Sequence, residues 1–231
     1  MPKYSVLLGV AAYSLFVATL SADETAETIL AKHIEAIGGL ERIKNVRSAR
    51  CTSKVWLNPG TEASVTLAEK WPFSSHIEYQ FPNGPGRRAS TSSPRGAADR
   101  PSDLQPPVEA VFDSLVAFAL EPRGEKLQYL GHGQDEGSPA LLLKLSYPDG
   151  KDQTYYIDPA TFLFFKIVFH SPKPALTVVA YVGGDAPVDG LRLARREDFY
   201  QNGRLVGSVT NIQCVLNPVI DDVVFAQEPK K

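Results

Sequence analysis

Cysteine is scarce in this sequence: Cys51 and Cys214 are the only two among 231 residues. Two cysteines exclude both the disulfide-dense framework of a small secreted domain and a zinc site built from four thiolates. Both fall in predicted strands near opposite ends of the chain, so an oxidising compartment would allow one bridge that closes a very long loop. Two buried free thiols are an equally good interpretation, because sequence spacing does not fix disulfide geometry.

An excess of positive charge is also missing. Lysine and arginine number 24 against 26 aspartates and glutamates, and the formal net charge is −2. Proteins that bind nucleic acid gather lysine and arginine into a stripe or patch that neutralises phosphates, and no such stripe is visible here. We therefore expect no nucleic-acid partner.

The linear motifs of serine hydrolases, phosphate-binding loops, dinucleotide-binding folds and zinc peptidases are absent as well. The four histidines lie in unrelated predicted elements: His33, His76, His132 and His170. Turn chemistry explains His132, which stands between two glycines, and the pair Asp221-Asp222 better than catalysis does. The sequence predicts a protein that is not an enzyme and has no metal and no cofactor. An undetected hydrolase stays as an alternative, because a site assembled in space leaves no linear motif.

The only long apolar run is N-terminal. It covers residues 6–20, follows a segment with one lysine, and ends at small residues before Asp23-Glu24. This layout is typical of a secretory signal peptide, and the run is shorter than the roughly 20 residues that a spanning helix needs. We expect residues 1–22 to be a signal peptide and residues 23–231 to form a single exported domain, located in the periplasm.

Hydrophobic periodicity predicts one N-terminal helix and then mainly strands. The helix runs from Thr25 to Gly39, with an apolar stripe of Leu30, Ile34 and Ile37. Nine or ten strands follow, joined mostly by short turns: 46–57, 62–71, 74–81, 126–132, 139–147, the hairpin 154–169, 175–182, 191–201 and 204–216. Such a run of neighbouring strands closes into an antiparallel barrel or curls toward one.

The hairpin 154–169 has a turn at Asp158-Pro159 and a second arm whose alternate residues are large and apolar. Either protein core or a guest molecule must cover that face. Strand parity predicts these residues for the lining of a cavity that holds a guest: Ile77, Tyr79, Phe81, Leu143, Leu145, Phe165 and Ile167.

Regularity breaks at residues 82–107, where nine of 26 residues are glycine or proline and four are arginine. This composition predicts a flexible surface loop, or alternatively a cationic rim for an anionic head group. A short helix is predicted next, through Leu120. Its apolar stripe would form a lid over an open sheet or a plug in a closed core: Val108, Val111, Phe112 and Leu115.

Several segments, in order, resemble the outer-membrane lipoprotein-sorting protein family, the LolA-like periplasmic carriers. They are residues 29–40, Val46-Arg47-Ser48, Glu69-Lys70-Trp71-Pro72, residues 155–161 and the closing segment 217–225. The chain departs from the family pattern in residues 86–107, which contain no tryptophan, and around Gly190.

This resemblance implies a mainly β fold: an incomplete antiparallel β-barrel wrapped on an N-terminal helix, with a helical lid. It also implies a monomeric, non-enzymatic carrier that binds the acyl chains of a lipoprotein or lipid and works between membrane donor and acceptor proteins. The alternative is a sensor or scaffold of the same fold, which binds a protein partner and fills its cavity with its own side chains.

Overall fold

A computed structural model describes residues 24–57, 59–71, 74–84, 86–91, 113–173 and 175–225, with residues 87–91 as backbone alone. The expected signal peptide, residues 1–22, lies outside this range. Among the described residues, no helix has the length and apolar character needed to cross a membrane.

Three short helices and a 3₁₀ turn accompany the strands. They are α1 (Ala26–Ala36), α2 (Leu40–Lys44), α3 (Ser114–Leu120) and the turn Asp222–Phe225. Thr25 caps α1 by accepting a hydrogen bond from the Thr28 backbone, 3.2 Å away. The buried residues Ile29, Leu30 and Ile34 give α1 one apolar face, as the sequence predicts.

Thirteen strands are present in the described residues. They are β1 (Ser48–Leu57), β2 (Thr61–Lys70), β3 (Ser74–Gln80), β4 (Arg87–Thr91), β5 (Lys126–Asp135), β6 (Ser138–Ser146), β7 (Asp152–Ile157), β8 (Phe164–Pro172), β9 (Ala175–Gly183), β10 (Ala186–Val188), β11 (Leu191–Leu193), β12 (Arg196–Gln201) and β13 (Arg204–Leu216).

Eleven of these strands form one antiparallel sheet in the order β4-β3-β2-β1-β13-β12-β9-β8-β7-β6-β5. The two end strands, β4 and β5, do not pair with each other, so the sheet curls without closing. The predicted incomplete antiparallel barrel is therefore confirmed. The last strand, β13, lies between β1 and β12 and brings the two ends of the chain together in the middle of the sheet.

Two of the sequence predictions were wrong in detail. Residues 87–91 of the predicted loop form β4, which pairs with β3, because a backbone beside an open sheet edge gains ladder hydrogen bonds whatever its composition. The predicted strand 191–201 is divided into β11 and β12. β11 pairs with β10 in a separate hairpin, whereas β12 joins the main sheet between β9 and β13.

The hairpin β10–β11 is attached to the end of α1. The Arg192 backbone amide donates to the Ile37 carbonyl at 2.9 Å, and the Arg42 guanidinium donates to the Gly38 and Gly190 carbonyls at 3.1 Å each. Gly38 has a φ of +129°, and a Cβ there would stand 2.6 Å from the Gly190 oxygen. Only glycine fits at this position, where the end of α1 is held against the β10–β11 hairpin.

One core cluster joins α1, α3 and the concave face of the sheet, and includes the fully buried Ile29, Leu115 and Tyr155. A smaller cluster on the other face holds Ala68, Ile220 and Phe225, so the closing segment packs outside the concavity. Cys51 and Cys214 are directly opposite each other on β1 and β13 and form a disulfide across a separation of 163 residues.

Candidate functional site

A partly enclosed cavity of about 500 Å³ lies between the concave sheet face and helices α1 and α3. Its apolar wall comes from α1, α3, the β7–β8 turn and strands β8, β9 and β11: Ile37, Val116, Leu163, Phe164, Phe165, Ile167, Val182 and Leu193. The volume is within the roughly 300–1,000 Å³ of small-molecule sites, which are mostly apolar with a few fixed polar groups.

His33 is the polar group that α1 contributes to the wall. Its side chain is almost completely buried, and Nδ1 donates a hydrogen bond to the Phe162 carbonyl at 2.8 Å. Nδ1 must be the donor because a carbonyl oxygen only accepts. The other ring nitrogen, Nε2, is buried without a hydrogen-bond partner among the described residues, an arrangement that costs free energy until a partner arrives.

Asp113 is the polar group next to α3. It caps the helix, and its Oδ1 accepts from the Val116 amide at 2.8 Å. Removal from water raises the pKa of the Asp113 carboxyl, while the nearby His33 and the backbone amides of Val116 and Leu115 lower it less strongly. Asp113 is nevertheless only half-buried and lines the cavity. Its side chain therefore forms part of the cavity wall and keeps some exposed surface.

Further polar groups lie elsewhere in the lining. Asp185 and Arg192 form an ion pair. Glu197 on β12 is a buried carboxylate. The Asp158 carboxylate accepts from the Ala160 and Thr161 amides at 2.8 Å each, which is the turn chemistry that the sequence predicts. The cavity thus contains acidic side chains and one arginine that is already paired.

The residues proposed from strand parity are divided between two places. Phe165 and Ile167 line the cavity. Ile77, Tyr79, Leu143 and Leu145 are almost completely buried in the core cluster, and Phe81 packs at its margin. These five side chains contact protein core and do not belong to the cavity lining.

Phe164 lines the cavity, although strand parity predicted that face for Phe165 and Ile167 and not for Phe164. A register shift beside Ile157 pairs Ile157 with Phe164 and Tyr156 with Lys166, which makes Phe165 the extra residue. The Phe164 ring lies 5.3 Å from the His33 ring and 5.5 Å from the Tyr155 ring. Four apolar residues in a row, 162–165, give no alternation from which this shift could be read.

The proposed lid is described only in part. Val108, Val111 and Phe112 lie outside the described residues. Leu115 belongs to α3 and is completely buried against the core. The residue of α3 that lines the cavity is instead its neighbour Val116.

Throughout the described part of the chain, no group of three or more His, Cys, Asp and Glu side chains is arranged to hold a metal ion.

Comparison with known proteins identifies the fold and no closer relationship. No family model and no curated protein sequence matches this chain. A LolA superfamily protein from Nitrosomonas europaea is similar in structure, with a TM-score of 0.53 and 13% identity over 88% of this chain and 98% of that one. An outer membrane lipoprotein-sorting protein domain from Vibrio parahaemolyticus has a TM-score of 0.50 and 12% identity, over 87% and 97%. The resemblance predicted from the sequence is confirmed at the level of the fold.

Proposed function

We propose that this chain, which has the LolA-like fold, is a periplasmic, non-enzymatic carrier that binds the acyl chains of a lipid or lipoprotein. The observation that carries the proposal is the cavity of about 500 Å³, whose wall is mostly apolar and partly open. A cavity that is mostly apolar and partly open allows an apolar guest molecule to enter, bind and leave.

The free energy available from such a cavity is sufficient for lipid capture from water. Each methylene group removed from water contributes about 0.8 kcal/mol, so a ten-carbon chain contributes about 8 kcal/mol before the costs of ordering are subtracted. Withdrawal from a membrane gains much less, because the chain is already in an apolar phase. A carrier of this kind would therefore receive its cargo from a donor and release it to an acceptor.

Two features support an exported location. The Cys51–Cys214 disulfide belongs to an oxidising compartment. The N-terminal apolar run has the layout of a signal peptide. With the fold shared by an outer membrane lipoprotein-sorting domain, these features favour the periplasm.

Phe164→Glu tests the cavity as the acyl site. Phe164 is half-buried and borders the cavity, so a carboxylate there places a charge where a chain would lie. We expect affinity for a fluorescent fatty acyl probe, measured by titration, to fall at least ten-fold. Ile37→Glu, which places a carboxylate at another position of the same cavity lining, should also lower the affinity for the probe.

Val219→Glu is the matched control, because Val219 is 98% exposed and lies outside the cavity lining. It should leave probe binding unchanged. Near-UV circular dichroism shows whether each variant keeps its tertiary packing. Unchanged probe binding by folded Phe164→Glu and Ile37→Glu would exclude this cavity as the acyl site.

A further inference from the structure

Asp113 and His33 are two polar groups in the mostly apolar wall of the cavity. Both residues line the cavity. They come from different elements, the N-cap of α3 and the middle of α1, and these two helices pack against each other. Each side chain has one structural hydrogen bond, but the bond to the Phe162 carbonyl leaves the other ring nitrogen of His33 unpaired, and a buried polar atom without a partner costs free energy.

The atoms that these two residues offer are mainly acceptors. In the tautomer that donates from Nδ1 to the Phe162 carbonyl, the remaining ring nitrogen, Nε2, is an acceptor, and it is buried and unpartnered among the described residues. The Asp113 carboxylate has two oxygens, of which Oδ1 accepts a hydrogen bond from the Val116 amide. A ligand group that donates hydrogen bonds would complement both residues.

An anionic head group does not fit beside these two residues. A carboxylate or phosphate would be placed next to the Asp113 carboxyl, with Glu197 and Asp185 elsewhere in the same lining. The one lining arginine, Arg192, is paired with Asp185. Like charges in an enclosed site of low dielectric repel strongly.

We propose that Asp113 and His33 form a head-group site that selects acyl ligands with an uncharged, hydrogen-bond-donating head, such as the hydroxyls of a monoacylglycerol. This selectivity rests on the proposed carrier function and adds a ligand class to it. The acyl chain lies along the wall formed by Phe164 and Ile167, and the hydroxyl donates to Asp113 with His33 Nε2 as the second acceptor.

Three ligands with one ten-carbon acyl chain separate head-group recognition from chain burial: monodecanoylglycerol, methyl decanoate and decanoate. The first donates hydrogen bonds, the second is neutral without a donor, and the third is an anion. Their affinities for the full mature protein are measured at pH 8 by displacement of N-phenyl-1-naphthylamine. We expect monodecanoylglycerol to bind about five-fold more tightly than methyl decanoate and at least ten-fold more tightly than decanoate.

Asp113→Asn removes the negative charge and keeps an oxygen that caps α3. It should reduce the preference for monodecanoylglycerol over decanoate at least five-fold. Asp221→Asn is the matched control: Asp221 accepts from the Val223 amide at 3.0 Å in the same way and lies outside the cavity lining. His33→Asn, which keeps a donor near the position of Nδ1 but lacks Nε2, should reduce the preference for monodecanoylglycerol over methyl decanoate.

The outcomes distinguish two failures. Equal displacement of the naphthylamine by all three ligands, or preferences that Asp113→Asn and His33→Asn leave unchanged, would overturn the head-group site while the cavity remained an acyl site. Displacement by none of the ligands would overturn the carrier function as well.

Discussion

Asp113 combines two properties that oppose each other. It stabilises α3 as an N-cap, yet desolvation raises the pKa of its carboxyl from 3.8. Neighbouring His33 and two backbone amides offset this effect only in part. The ionised form of the side chain is therefore less stable in the folded protein than in water.

A pH dependence follows from this raised pKa. Below pH 3.8, the ordinary value, Asp113 is mostly protonated in both the folded and the unfolded state. Between the ordinary pKa and the raised pKa of the folded protein, Asp113 is mostly ionised in the unfolded state but mostly protonated in the folded state. Its contribution to the free energy of unfolding therefore decreases as the pH rises through this range and is constant above the folded pKa. Asparagine does not titrate, so Asp113→Asn should become more stable relative to the wild type as the pH rises.

Urea unfolding of both proteins between pH 4 and pH 8 measures this difference. Asp221→Asn, compared with the wild type in the same way, controls for the substitution itself, because Asp221 lies in an exposed turn outside the cavity lining. A stability difference between Asp113→Asn and the wild type that stays flat or decreases with pH would show that burial does not penalise the Asp113 carboxylate.

The positions of Ile167, Phe164 and His33 in the cavity wall were not equally predictable from the sequence. Periodicity is enough to place Ile167 on the concave face, since its strand neighbours alternate. It is not enough for Phe164, because a one-residue register shift moves a side chain to the other face and the run of apolar residues hides the shift. The sequence places His33 in the predicted N-terminal helix, but its position in the cavity wall depends on the Phe162 carbonyl, 129 residues away.

At the scale of elements, α1 is held at its middle and at its C-terminal end by two hairpins that sequence patterns alone do not connect to it. Its middle contacts the β7–β8 turn through His33 and Phe162, and its C-terminal end contacts the β10–β11 hairpin through Ile37 and Arg192. The helix and most strands were predictable from local periodicity. These two attachments were not, because they join residues far apart in the chain.

Gly38→Ala tests the joint between α1 and the β10–β11 hairpin. Alanine at Gly38 is strained at a φ of +129°, and its Cβ would meet the Gly190 oxygen at 2.6 Å. Gly60→Ala is the matched control, since Gly60 has a φ of +110° but nothing within 4 Å of a Cβ. We expect both to lose about 1–2 kcal/mol of unfolding free energy from strain, and Gly38→Ala to lose at least about 1 kcal/mol more.

Chemical denaturation gives both values. Equal losses for the two alanine variants would mean that the hairpin moves away from α1 without cost, and that the close contact at Gly38 does not hold the helix in place.

For the whole molecule, the open antiparallel sheet was predictable because short turns and alternating strands leave few other arrangements. The strand order was less accessible. β13 pairs with β1 although the two strands lie far apart in the sequence, and the Cys51–Cys214 disulfide links them across a separation of 163 residues. The cavity was the least predictable feature: its wall depends on how completely α1, α3 and the core side chains fill the concavity, which residue parity does not determine.

The most direct test of the proposed carrier function is native mass spectrometry of the protein after expression of the full chain in a Gram-negative bacterium, with extraction and identification of bound lipid. We expect one or a few acylated molecules per protein at near-stoichiometric occupancy, and their loss in Phe164→Glu. A folded wild-type protein whose mass equals that of the bare chain, even after incubation with lipid vesicles, would contradict the carrier function and favour a scaffold that binds a protein partner.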